Sequence, residues 1–165
     1  MFRRVEDFTK AWGTEYEGTL KVFRALTDAS LGQRVDGEGR TVGRLAWHIT
    51  QSVPEMMNRT GLTLESADEH APVPATAAAI VTAYEAAGKA LLEQVGSWDD
   101  AALLEARDMY GEQWPNGLTL EILIRHQTHH RGQMTVLMRQ AGLVVPGVYG
   151  PAREEWSAYG MAAQE

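Results

Sequence analysis

Four long segments carry apolar residues at steps of three and four, the spacing of one helix face, and this periodicity directs the chain toward an α-helical bundle. The first, from about Val5 to Ala29, sets Phe8, Trp12, Tyr16, Leu20 and Phe23 along one stripe. The second runs from Val42 to about Arg59, after Thr41, which suits an N-cap, and before Gly61, which suits a stop. The third spans Thr76 to about Val95, with Ile80, Tyr84, Leu91 and Val95 as its inner face and Gly96 as its end. The fourth spans Thr119 to Ala141 and closes at Gly142. The stretches between them hold Gly, Pro and charged residues and read as connections rather than strands. Residues 62–75 read as a polar surface loop with a solvated His70, 97–105 as a short helical turn capped by Ser97, and 106–117 as irregular. The tail adds one short helix with Pro151 near its start. The expected fold is all-α, an up-down four-helix bundle with a short extra C-terminal helix, forming a single domain over residues 1–165. Pro54 removes a backbone donor inside the second helix and crowds the Thr50 carbonyl, so a kink or bulge is expected within one turn of His48.

Composition decides what such a bundle can do. Of 165 residues, 44% are hydrophobic and 22% charged, which suits one packed core. Asp and Glu outnumber Lys and Arg by 22 to 15, and the net charge of -7 repels phosphate backbones and anionic membrane surfaces. Neither nucleic acid nor a membrane is expected as a partner. The start, MFRRVEDF, carries Arg3 and Arg4 without an apolar run behind them, so a cytoplasmic location is expected. The absence of cysteine removes disulfides, thiolate zinc sites, iron–sulfur clusters and thiol nucleophiles together. Any metal must be held by nitrogen or oxygen, which directs attention to His48, His70, His126, His129 and His130.

Three of these lie on the fourth helix and cannot all point one way. At about 100° per residue, with His126 at zero, His130 falls near about 40°, Leu123 near about 60° and Met134 near about 80°, whereas His129 falls off the stripe near about 300°. His126 and His130 stand one turn apart and can converge on one ion. Burying two imidazoles without partners is costly, so both a metal pair and a hydrogen-bonded pair satisfy the pattern. His48 borders the core stripe of the second helix and is the candidate third ligand, although a lone histidine in such a place is ordinarily just hydrogen-bonded. Gln133 is placed to orient a ligand or a bound molecule, or simply to solvate the helix edge. Arg131, read as lying beyond the core edge, is expected to pair with an acidic group on another helix. Gly132 is expected at a close packing contact. Tyr110, Glu112 and Trp114 could line the mouth of a site, and Gln133, Glu112 and Tyr110 are the candidate catalytic residues. Paired Glu-x-x-His and His-Glu-x-x-His motifs are both absent, which argues against a carboxylate-bridged di-iron bundle and a zincin.

The run HQTHHRGQ, His126 to Gln133, resembles the His-x-x-x-His-Arg-Gly-Gln signature of the DinB/YfiT-like superfamily, and LAWHIT around His48 is similar to the helix supplying that family's first histidine. The resemblance covers nearly the whole chain. It implies a metal triad of His48, His126 and His130, a divalent ion (zinc, nickel or iron), frequent homodimers and, in several branches, thiol-dependent S-transfer or isomerisation with bacillithiol, mycothiol or glutathione. It does not imply chemistry on DNA. Arg125 stands where relatives often have Asn, and PGVYGPAREEW replaces a Pro-Pro-x-Asp-Tyr type of ending, so the substrate does not transfer with the metal. A three-histidine ion keeps its charge and an open position, and it lowers the pKa of bound water or thiol. The ligand set suits several metals, and release is expected on acidification through about pH 6, where free histidines gain protons. With no cysteine in the chain, the thiol would arrive as a small-molecule co-substrate. The expected function is metal-dependent thiol S-transfer of the bacillithiol type. Metal-dependent hydrolysis is the alternative, or a non-catalytic metal-binding or stress-response bundle in which Glu112 or another carboxylate closes the shell. A homodimer is expected through the helix edge holding His129, Gly132 and Val136.

Overall fold

The computed structural model describes residues 1–68 and 71–163. His70, read above as solvated, lies outside the described residues. Four helices form the expected bundle: α1 (Val5–Arg24), α2 (Val42–Asn58), α3 (Ala77–Gly96) and α4 (Asn116–Gln140). The principal helix contacts are α1 with α3, α3 with α2, α2 with α4 and α4 with α1, so α1 and α2 sit diagonally across the ring. Among the described residues no helix is long and apolar enough to cross a membrane.

The local chemistry explains the boundaries. Along α1, Phe8, Trp12, Tyr16, Leu20 and Phe23 are all buried, and Glu6 and Asp7 at its start and Lys21 and Arg24 at its end complement the helix dipole. It ends earlier than the apolar pattern suggests, because Thr27 and Ser30 form a capping box that starts a 3₁₀ turn over Asp28–Gly32. Thr41 and Thr76 cap α2 and α3, accepting from the Arg44 and Ala79 amides at 3.1 and 3.2 Å. Helix α2 continues unbroken through the buried Pro54 rather than bulging. Gly88 of α3 lets the helix meet α1 closely: a Cβ there would lie 2.4 Å from the Tyr16 ring, and the Gly88 carbonyl accepts the Trp12 indole N–H.

The connections differ more from expectation. Residues 106–117 are not irregular. They contain an antiparallel hairpin, β1 (Ala106–Met109) and β2 (Glu112–Pro115), and then the first turn of α4. Met109 pairs with Glu112 across a two-residue turn in which Tyr110 (φ 60°) and Gly111 (φ 89°) are both left-handed, as a type I′ turn demands. Strands this short carry no readable alternation, and Tyr at the first turn position hides the signal that Asn-Gly would give. The turn after α3 is a 3₁₀ piece, Ala102–Leu104; Ser97 ends α3, its hydroxyl donating to the Gln94 carbonyl, and Asp99 supports the turn through the Ala102 amide. The tail helix is also 3₁₀, Arg153–Tyr159, and follows Pro151. The start of the 62–75 loop is pinned: Leu62 and Leu64 are buried, Gln94 bonds both backbone groups of Thr63, and Asn58 bonds both of Leu64.

Candidate metal centre

The adjacency of α2 and α4 brings His48, His126 and His130 together. One ring nitrogen from each lies within 4.8 Å of the others, and among the described residues these three form a group that could hold a metal ion. Nε2 of His48 and Nε2 of His126 are 3.0 Å apart, and the three ring centroids are 4.5 to 4.8 Å from one another. Two nitrogens bound tetrahedrally at zinc distances would stand about 3.3 Å apart, so modest side-chain rotation suffices for the group to fit one ion. His129 is exposed and outside this group, as the helical angles suggest.

Electrostatics favour neutral rings. Burial, reinforced by the other two histidines and by Arg40 and Arg44, pushes His48 down to about 4. Burial and the neighbouring His130 and His129 push His126 to about 4 as well, and burial lowers His130. Neutral imidazole is the form that binds metal. Gln133 adds orientation: its Oε1 lies 2.8 Å from Nδ1 of His130, so it accepts an Nδ1 proton and leaves the Nε2 lone pair free, while its Nε2 donates to His129. Nδ1 of His126 is buried without a partner.

The same shifts fix a pH dependence. A histidine near 6.5 when unfolded and about 4 when folded makes the unfolded chain bind more protons over that interval. Stability of the metal-free protein is expected to be full above about pH 6.5 and to fall progressively toward pH 4. Urea midpoints from pH 7.5 to 4.5 check this, with His48→Ala flattening the profile. Proton competition for the ion correspondingly moves below the interval near pH 6 that free histidines would give.

Gln127 is the residue that helical angles left unnoticed. It is fully buried, donates from Nε2 to the Ile49 carbonyl at 2.9 Å and to the Ser52 hydroxyl at 3.2 Å, and accepts the Tyr84 hydroxyl at 3.1 Å. It thereby joins α2, α3 and α4 beside two of the histidines. Its place at about 100°, within the stripe of Leu123, Met134 and Met138, was the available signal. Arg131 is buried at 3% exposure rather than beyond the core edge, and it makes the expected ion pair, with Glu15 of α1 at 2.7 Å. Gly132 has open space where a Cβ would be, so no packing contact within the chain explains it.

A cleft of about 500 Å³ opens beside the histidines, with His48, His126, Arg44, Glu55, Arg59 and Tyr110 on its wall. Of Tyr110, Glu112 and Trp114, only Tyr110 stands on this wall. Its hydroxyl donates to Glu55 at 2.8 Å, and burial with that bond pushes it up to about 12. Glu112 instead accepts the Trp114 indole N–H at 2.7 Å, outside the cleft wall. A second cavity of about 510 Å³ between α2 and α3, walled by Trp47 and Ala87, includes none of the histidines.

Comparison with known proteins follows the same lines. The model of the DinB family matches residues 1–165. The uncharacterized protein YrdA of Bacillus subtilis (strain 168) is 44% identical over 164 residues, covering 99% of this chain and 98% of that one. The crystal structure of a DinB-like protein from Bacillus cereus ATCC 10987 has a TM-score of 0.87 at 44% identity, covering 90% of this chain and all of that one. A second DinB-like protein, YjoA from Bacillus subtilis, has a TM-score of 0.69 at 12% identity, covers 86% and 97%, and shares the fold.

Proposed function

The chain belongs to the DinB family, and from that premise we propose that it binds a divalent metal through His48, His126 and His130 and transfers a small thiol to an electrophile. The observation carrying this reading is the convergence of three half-buried imidazoles, two of them on the wall of an open cleft. A bound zinc, nickel or iron ion supplies charge that lowers the pKa of a thiol or water, making thiolate or hydroxide available near neutral pH. The protein's own residues do the rest. Gln133 holds the His130 ring, Gln127 holds the seam between α2 and α4, and the paired Glu55, Arg59 and Tyr110 form part of the cleft wall. A closed structural shell is disfavoured because, among the described residues, no carboxylate joins the three histidines, and Glu55, the acidic residue on the cleft wall, is engaged through both oxygens. Metal-assisted hydrolysis shares every one of these features and is the second reading.

The test is metal-dependent consumption of bacillithiol with monochlorobimane by the loaded protein. A loaded protein that neither consumes the thiol nor hydrolyses generic esters supports the non-catalytic alternative. Gln133→Ala is expected to weaken metal binding by about 10- to 100-fold, the usual effect of removing a partner that orients a ligand. Competition with a chromophoric chelator measures it. We read residues 1–165 as one domain and α4's outward edge, with His129, Gly132 and the exposed Val136, as a homodimer contact.

A further inference from the structure

We propose that the cleft takes a substrate bearing an anionic group, a carboxylate or a phosphate, and that Arg44 is the residue that binds this group. The inference rests on the thiol-transfer reading and narrows its co-substrate to anionic thiols.

Three ionisable side chains besides the histidines and Tyr110 stand on the cleft wall: Arg44, Glu55 and Arg59. Two of them neutralise each other. Glu55 accepts Arg59 Nε at 3.0 Å through one oxygen and the Tyr110 hydroxyl through the other, and the Arg59 guanidinium lies over the Tyr110 ring at 4.8 Å from its centre. This wall is complete without a ligand, and the strained left-handed backbone of Tyr110 serves to place the ring there.

Arg44 is different. It is exposed, and among the described residues its guanidinium has no hydrogen bond and no ion pair. Arg40, just before α2, is likewise exposed and unpaired. In a chain with seven more acidic than basic residues, an unmatched arginine on the wall that also carries His48 and His126 puts a local positive charge against the sign of the molecule as a whole. A guanidinium presents a fork of donors shaped for carboxylate or phosphate, and none of the described residues fills it. Arg44 and His48 stand one turn apart on α2, their Cβ atoms about 5–6 Å from each other. A small thiol acid can therefore present sulfur to the histidines and its anionic group to Arg44.

The test compares the wild type with Arg44→Gln and Arg44→Lys. Zinc-loaded protein is titrated by calorimetry with mercaptosuccinate and with 2-mercaptoethanol, and metal-free protein is titrated by NMR with succinate and with inorganic phosphate. Zinc content is expected to be equal in all three proteins. Arg44→Gln is expected to lose about fivefold in affinity for mercaptosuccinate and nothing for 2-mercaptoethanol, and Arg44→Lys is expected to retain part of the difference. In metal-free protein, the anion whose binding falls in Arg44→Gln identifies the recognised group. If zinc loads and Arg44→Gln binds every anion as the wild type does, the anion site is overturned and the metal reading stands. If zinc fails to load but the metal-free wild type still outbinds Arg44→Gln, the metal reading falls and the anion site stands.

Discussion

His126→Ala is expected to lower the affinity for zinc or nickel by more than about a hundredfold, beyond what loss of a mere orienting partner costs. His126 approaches both of the others: its Nε2 is 3.0 Å from that of His48, and its ring centre is 4.5 Å from that of His130. Without it, one imidazole remains on each of two helices, and neither has a neighbour on its own helix facing the ion. The substitution is expected to spare the fold. The ring is desolvated and its Nδ1 has no partner, so removing it relieves an unmet polar group while opening only a small space beside the cleft. Elemental analysis after purification, with circular dichroism for helicity, measures both halves of the expectation. A variant that retains wild-type metal content would place the ion elsewhere and defeat the three-histidine reading.

The largest effect on stability is expected from Glu15→Ala. Arg131 is buried at 3% exposure, with its guanidinium held by the Glu15 carboxylate, the Glu15 carbonyl, the Thr19 hydroxyl and the Tyr149 hydroxyl. Removing the carboxylate strands a buried cation, a change that costs about 3–5 kcal/mol. For a chain of this size the melting temperature should drop by about 10 °C. Replacing both partners at once, Glu15→Leu with Arg131→Met, is expected to cost much less than Glu15→Ala alone, because the burden is the unpaired charge rather than the lost attraction. Equal losses in the single and double variants would show that packing dominates. Tyr149 also donates to Glu15, so the single substitution loosens the tail, which limited proteolysis can follow separately.

The helices were legible because α1, α2 and α3 obey rules that act within a few residues: apolar spacing, and threonine caps at Thr41 and Thr76. The triad was legible for a related reason, since His126 and His130 share a helix face whatever the tertiary structure, while His129 does not. Features that depend on partners distant in sequence were harder. Gln127 and Arg131 look like ordinary polar residues until Ile49, Ser52, Tyr84 and Glu15 are brought to them. The stripe of α4 is centred nearer to Gln127 than to His126, so the two histidines sit at its half-buried edge, which is where a site open to a substrate has to be. The hairpin was lost because its turn depends on a left-handed Tyr110, a conformation that its residue type does not advertise.

The diagonal placement of α1 and α2 governs the order in which this chain can assemble. In a ring that runs α1, α3, α2, α4, the only consecutive helices that are also neighbours are α2 and α3. That pair is the natural early unit, because it needs the shortest loop closure. Helix α1 emerges first yet must wait for α3, and α4, which carries two of the three histidines, closes the ring last. A nascent chain therefore exposes apolar faces until its final third has been made, and the metal cluster comes together at the same step that seals the core.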